Sequence, residues 1–377
     1  MKNLFFFLIL FIFFVPNNSF SQELHQDIQG VWRAEVIEAS ETVRENVPGT
    51  EAYSDIQTIK AEILEGERRG EVVEFENDYI QLESGDKFFL NYLVTIGGQE
   101  IYSVREKDRR ESLFILLIIF VVTILFFGGK QGLRALISLV GSFFVIFYVL
   151  LPSLISGYSP LLISFVVSAI ILFFAIFFTH GFNRVSLIAF LGTISAILIT
   201  IVLTIFFVNQ SALTGLSSDE SVYLNIGTRG TLDFVGLLVG AIIIGALGAL
   251  DDIAVTQVAV VRELYATNKN LKIKEVYNKA IRVGKEHVGA LVNTLVLAYT
   301  GASLPLLLWF SQTDAGFLNI INREIFATEI IRTLLGSIGL ILTVPITTYF
   351  AARFLKNYEG GDNFEAHSHS HHHIKKI

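Results

Sequence analysis

LDFVGLLVGAIIIGALGALDD, residues 232–252, carries no charge from Phe234 to Leu250 and then places Asp251 and Asp252 side by side. A run of that kind approaches the ~20 apolar residues that a helix needs to cross a ~30 Å hydrocarbon layer. Comparable runs occur at 112–128, 133–151, 160–179, 185–208, 287–309 and 327–350, so the pattern predicts seven membrane-spanning helices. The 377 residues agree as a whole, being 52% hydrophobic and only 17% charged with a mean hydropathy of +0.58. That is the profile of a chain whose solvent is the lipid bilayer.

The stretch ahead of the spans reads differently. Residues 1–21 hold one Lys, an apolar run from Leu4 to Val15, Pro16 and then Ser19-Phe20-Ser21, the layout of a cleavable signal peptide, with an uncleaved anchor as the alternative. Residues 22–110 alternate apolar and polar positions over 31–37, 56–64, 70–75, 88–96 and 101–104, with turn-formers such as Gly97-Gly98 between them. A small extracytoplasmic β domain is expected there. From Gln22 to Glu111 the chain has 21 acidic against ten basic side chains, a local charge of −11, which excludes the basic face that nucleic acid requires. No cysteine is present, so disulfides, thiolate nucleophiles and Cys-ligated metals are excluded.

Loop charges orient the transmembrane domain, 111–352. Lys130, Arg134, Arg184, the segment 262–285 with seven basic and two acidic residues, Arg353 and Lys356 fall on one side, whereas Arg229 and Arg323 fall on the other. By the positive-inside rule the β domain lies outside and the tail 353–377 lies in the cytoplasm, as expected for a bacterial inner-membrane protein. The tail's HSHSHHH, residues 367–373, leaves metal binding an open question. No inverted repeat is legible by eye.

Polar residues inside the spans are the candidate functional ones, because ionisable groups in a membrane segment are costly and usually face a bundle interior or a wet cavity. Ala241, Gly245, Gly248, Asp252 and Thr256 share one helical stripe, on which small residues admit another backbone and Asp252 supplies a carboxylate. Gly289, Asn293, Val296, Thr300 and Ser303 form a second stripe. Glu329 and Arg332, followed by Gly336, Gly339 and Thr343, form a third. Together Asp252, Asn293, Thr300, Glu329 and Arg332 are expected to line one polar path, with Pro305 and Pro345 as helix kinks. Each feature also has a structural reading. The two aspartates could end a span, Asn293 could join helices, and Glu329 with Arg332 could be a local ion pair.

Three of these segments resemble the YibE/F family of bacterial multi-pass membrane proteins: GALGALDDIA (245–254), NTLVLAYTGASLPLLL (293–308) and ATEIIRTLLGSIGLILTVPITT (327–348). The stretch 56–78 followed by GDKFFL (85–90) is similar to that family's extracytoplasmic region. The resemblance places Asp252, Asn293, Tyr299, Gly301, Pro305, Glu329, Arg332 and Pro345 on family positions, while Asp251 stands where the family pattern has Met. It implies a multi-pass membrane protein and supplies no activity.

Three classes of function follow. A transporter or permease would use the path for an ion, proton or small solute, and needs no cofactor. A non-transporting scaffold or sensor would bind a partner through the β domain. An enzyme is not expected: Asp233 and Asp251 are ~27 Å apart along one helix, so they cannot share a proton as an aspartyl dyad does. The soluble parts show no catalytic triad, HExxH pair or P-loop.

Overall fold

Alternation in YSDIQTIKAEI buries Ile59, Ala61 and Ile63 on one face and leaves the residues between them exposed. The structure, a computed structural model, describes residues 28–46, 53–95, 97–313 and 316–356. The expected signal segment and the histidines of the tail lie outside the described residues. Two compact units divide between Phe126 and Phe127.

The first unit is an antiparallel sheet of six strands: β1 (Ile28–Ala39), β2 (Val43–Asn46), β3 (Tyr53–Ile63), β4 (Val72–Asn77), β5 (Lys87–Val94) and β6 (Glu100–Lys107). β1 is central, pairing Val36 with Ala61 of β3 and Trp32 with Leu90 of β5. β4 adds to β3, β6 adds to β5, and β4 comes close to β6, so the sheet curls around Ala34, Ile59, Phe88 and Leu90. All five expected strands are present; β2 carries only exposed residues, so it gave no alternating signal. A polar knot ties the β3–β4 turn to the β5–β6 hairpin. Arg68 donates to Tyr102 Oη at 2.8 Å, to Tyr92 Oη at 2.9 Å and to both Glu100 oxygens. The Arg68 hydrogen bonds, joined by those from the two tyrosines, hold the Glu100 carboxyl down at about 2. Trp32 stacks on Tyr92 at 4.9 Å and occupies the space over Gly66, whose φ of +90° suits a residue without a side chain.

Helices follow: α1 (Arg110–Val145), a π-helical turn (Ile146–Leu150), α2 (Leu151–Ile155), α3 (Pro160–Phe173) and a second π turn (Phe174–Phe178). Then come α4 (Arg184–Gln210), α5 (Asp219–Gly227), α6 (Phe234–Thr267), α7 (Ile273–Ala302), α8 (Leu304–Ser311), α9 (Phe317–Ile321) and α10 (Glu324–Phe354). By length and composition five helical segments can cross a membrane, and α7 with α8, bent by 61°, can make a sixth. The first of these runs 46 residues from Arg110 to Ile155, ~69 Å at 1.5 Å per residue, over twice the hydrocarbon thickness. Gly129, at φ 51° and ψ −129°, interrupts it between the two expected spans 112–128 and 133–151.

In the second unit α10 packs on α4, α6 and α7. Small residues let the backbones approach: a Cβ on Gly192 would lie 3.1 Å from Thr347 Cα, and one on Gly339 would lie 2.6 Å from Thr200 Oγ1. Several buried hydroxyls are satisfied by donating one turn back, as Thr200 does to Ala196 O at 2.9 Å and Thr343 to Gly339 O at 2.9 Å. Apolar side chains also cover the outside, as lipid requires rather than water; Phe143, Leu162, Val202 and Leu334 are all exposed.

Candidate functional site

The aspartates of GALGALDD face a cavity. α6 turns its bulky side, Ile242, Ile243, Ala246, Leu250 and Ile253, into the core, because those residues have the apolar volume to fill it. Its small-residue side, with Ala241, Gly245, Gly248 and Asp252, is exposed. A cavity of about 400 Å³ opens there, and its polar lining is Ser138, Ser142, Thr179, His180, Asp251 and Asp252. Ser138 and Ser142 come from α1, Thr179 and His180 from the residues that follow α3.

Both helices opposite α6 locally widen into π turns at this cavity, with Ile146 and Ala175 among its lining. Such turns recur at functional sites, since the extra residue re-aims the side chains around it. After the second π turn the chain reaches His180 and reverses at Gly181, whose φ is +85°. Asn183 Nδ2 donates to His180 O at 2.9 Å, and Asn183 Oδ1 accepts from Ser186 N at 2.8 Å as the N-cap of α4. His180 is thereby held between two helices. Asp251 is half-buried and its Oδ1 accepts from the backbone N–H of Asp252 at 3.0 Å. Two carboxylates, an imidazole and three hydroxyls can solvate a proton or a small cation. Among the described residues no three His, Asp or Glu side chains converge on a metal-sized point.

The five residues expected along one path are not brought into one cavity. Asp252 lines the cavity above; Thr300 and Glu329 line another, of about 520 Å³, with Tyr299, Ser303 and the rings of Phe310 and Phe326. Asn293 is exposed and, like Arg332, lines neither. Glu329 is paired locally, its Oε1 at 2.9 Å from Arg332 Nη1 one turn on, which is the structural reading of that pair. The correction has a geometric cause: a stripe fixes phase along one helix and leaves open how each helix is rotated against the next.

The packing residues also divide. Gly245 meets α7, for a Cβ there would sit 2.6 Å from Tyr299 Oη. Among the described residues Gly248, Gly289 and Gly301 have nothing within 4 Å of such a Cβ; Gly248 leaves room for the cavity. Pro305 starts α8 just past the 61° bend, whereas Pro345 lies inside the uninterrupted α10.

The sequence did not point to His180 and Asp251 as lining one cavity with Asp252, although a signal existed. His180 ends the span 160–179 on the side assigned to Asp251 and Asp252, so an ionisable residue stood at the same end of another span.

The YibE/F-like protein family model matches residues 116–357. The chain belongs to that family. The matched region of this YibE/F-like protein contains both cavities and every helix from α2 to α10. No curated protein and no solved structure matches the chain.

Proposed function

We propose that this YibE/F-like protein is a permease of the bacterial inner membrane, and that the aspartate cavity holds a proton or small cation in transit. The supporting observation is the convergence of Asp251, Asp252 and His180 on one cavity between apolar helices. Asp251 lies 17 positions after Phe234, ~26 Å along α6, so the carboxylates sit toward one membrane face. Ionisable residues so placed are kept for function more often than for packing. The reading takes α1 as two spans parted at Gly129 and α7 with α8 as one broken span, which makes seven crossings with the β domain outside and the tail inside. It assigns no enzymatic step.

The test is flux in liposomes. Purified protein is reconstituted with a pH-sensitive or a sodium-sensitive dye in the lumen, and a potassium diffusion potential is applied. Wild-type protein should move one of these ions, and the double variant Asp251→Asn with Asp252→Asn should lose at least nine-tenths of the rate while inserting normally. Wild-type flux equal to that of empty vesicles, or an undiminished rate in the variant, overturns the reading.

A further inference from the structure

His180 lines two cavities. Besides the aspartate cavity it borders a second one of about 180 Å³, whose other walls include Ser186 of α4 and Val255, Ala259, Arg262 and Glu263 of α6. Gly248, Asp251, Val255, Ala259 and Arg262 are spaced by three, four, four and three residues, so both cavities lie on one face of α6. From Asp251 to Arg262 that face extends ~16 Å toward the end of the helix. The Ser186 hydroxyl, 1% exposed, has no hydrogen-bond partner among the described residues. A buried hydroxyl without a partner has lost its water and gained nothing in exchange, and a polar species moving along this face would give it a partner.

We propose that His180 is the gate of a continuous conduit: its side chain separates the aspartate cavity from the second cavity, and a cation leaving the aspartates passes it toward Arg262 and Glu263. This rests on the permease reading and adds the route and the constriction. The titratable and charged groups along it are Asp251, Asp252 and His180 in the first cavity and His180, Arg262 and Glu263 in the second. The imidazole suits the position, since one ring can close a narrow passage, swing about two torsions, and exchange a proton or water with either side.

The native chain has no cysteine, so single thiols can report access directly. Cysteine is placed at Ser142 in the first cavity, at Ala259 in the second and, as a control, at Val258, which is fully buried. Right-side-out and inverted vesicles are treated with a charged, membrane-impermeant methanethiosulfonate. Ala259→Cys should react from one face only, and from that same face Ser142→Cys should react at least tenfold faster when His180 is replaced by Ala. With His180→Phe, which keeps a ring in place, Ser142→Cys should stay slow. Val258→Cys should stay inert throughout. The gate is overturned if Ser142→Cys reacts equally with His180 or Ala, if Ala259→Cys is inert from both faces, or if Val258→Cys becomes reactive with the others. None of these results touches the flux loss expected of the Asp251→Asn, Asp252→Asn variant, so the two readings fail separately.

Discussion

Gln257 offers a test of the transmembrane packing with a definite sign. It is 1% exposed, on the face of α6 turned away from the cavities, and packs over Gly284 of α7 beside Val344 of α10. Neither its Oε1 nor its Nε2 has a hydrogen-bond partner among the described residues. Leaving a buried amide unpaired costs ~1–3 kcal/mol by protein mutational measures. Methionine has nearly the same length and shape without the amide, and volume-conserving swaps lose little packing. Gln257→Met is therefore expected to stabilise the protein by ~1–3 kcal/mol, the desolvation that the unpaired amide no longer suffers. At ~2–4 °C per kcal/mol for a domain of this size, the apparent melting temperature should rise by ~2–12 °C. The assay is the fraction of detergent-solubilised protein that still elutes as a single species after heating to a series of temperatures. A fall in that temperature would refute the reasoning and mean that the amide has a bound partner which methionine cannot hold. A rise accompanied by lost flux would mark Gln257 as a residue retained at the expense of stability.

Gly245→Ala puts a methyl 2.6 Å from the Tyr299 hydroxyl and should destabilise by ~1–3 kcal/mol; in the same heating assay Tyr299→Phe, which deletes that hydroxyl, should recover most of the loss. Recovery of nothing would mean that the glycine is needed for another reason. In the β domain, Glu100 is held at about 2, below the 4.5 of an ordinary glutamate, chiefly by its Arg68 hydrogen bond. Because the folded value lies below the unfolded one, its stabilisation is present above pH ~4.5 and is lost as pH falls toward ~2. With Trp309→Phe leaving Trp32 as the sole indole, its fluorescence-detected unfolding should become easier over that window, and Glu100→Gln should flatten the dependence. Gly66→Ala meets both a φ of +90° and the Trp32 ring, and should destabilise the domain by more than the ~1 kcal/mol that a left-handed φ alone costs an L residue, read as a lower urea midpoint of the same Trp32 signal.

Much of the architecture is legible in local patterns. The strands over 56–64 and 88–96 follow from period-two alternation, which needs only one buried face, and the long helices follow from apolar runs near bilayer length. The site is less legible. Helical phase favoured Asp252 over Asp251, since neighbours on a helix differ by ~100°, yet a cavity of about 400 Å³ is wide enough for both to line it. Small-residue stripes predicted close approach; Gly245 and Gly339 meet another helix, whereas Gly248 and Gly289 meet nothing within 4 Å among the described residues, because the same lack of a side chain that permits contact also leaves open space. The Glu329–Arg332 pair was readable from its i,i+3 spacing alone.

By itself the amino-acid sequence determined that this chain belongs to the YibE/F-like family and carries several helices long and apolar enough to cross a membrane, with a strand-rich segment ahead of them. Those properties are sums over short windows: a segment's preference for lipid and its alternation depend on its own side chains. Only the tertiary structure decided that His180 joins Asp251 and Asp252 while Glu329 belongs to a different cavity. That partition depends on how each helix is rotated and where a π turn shifts its register, which are set by packing between residues far apart in the chain.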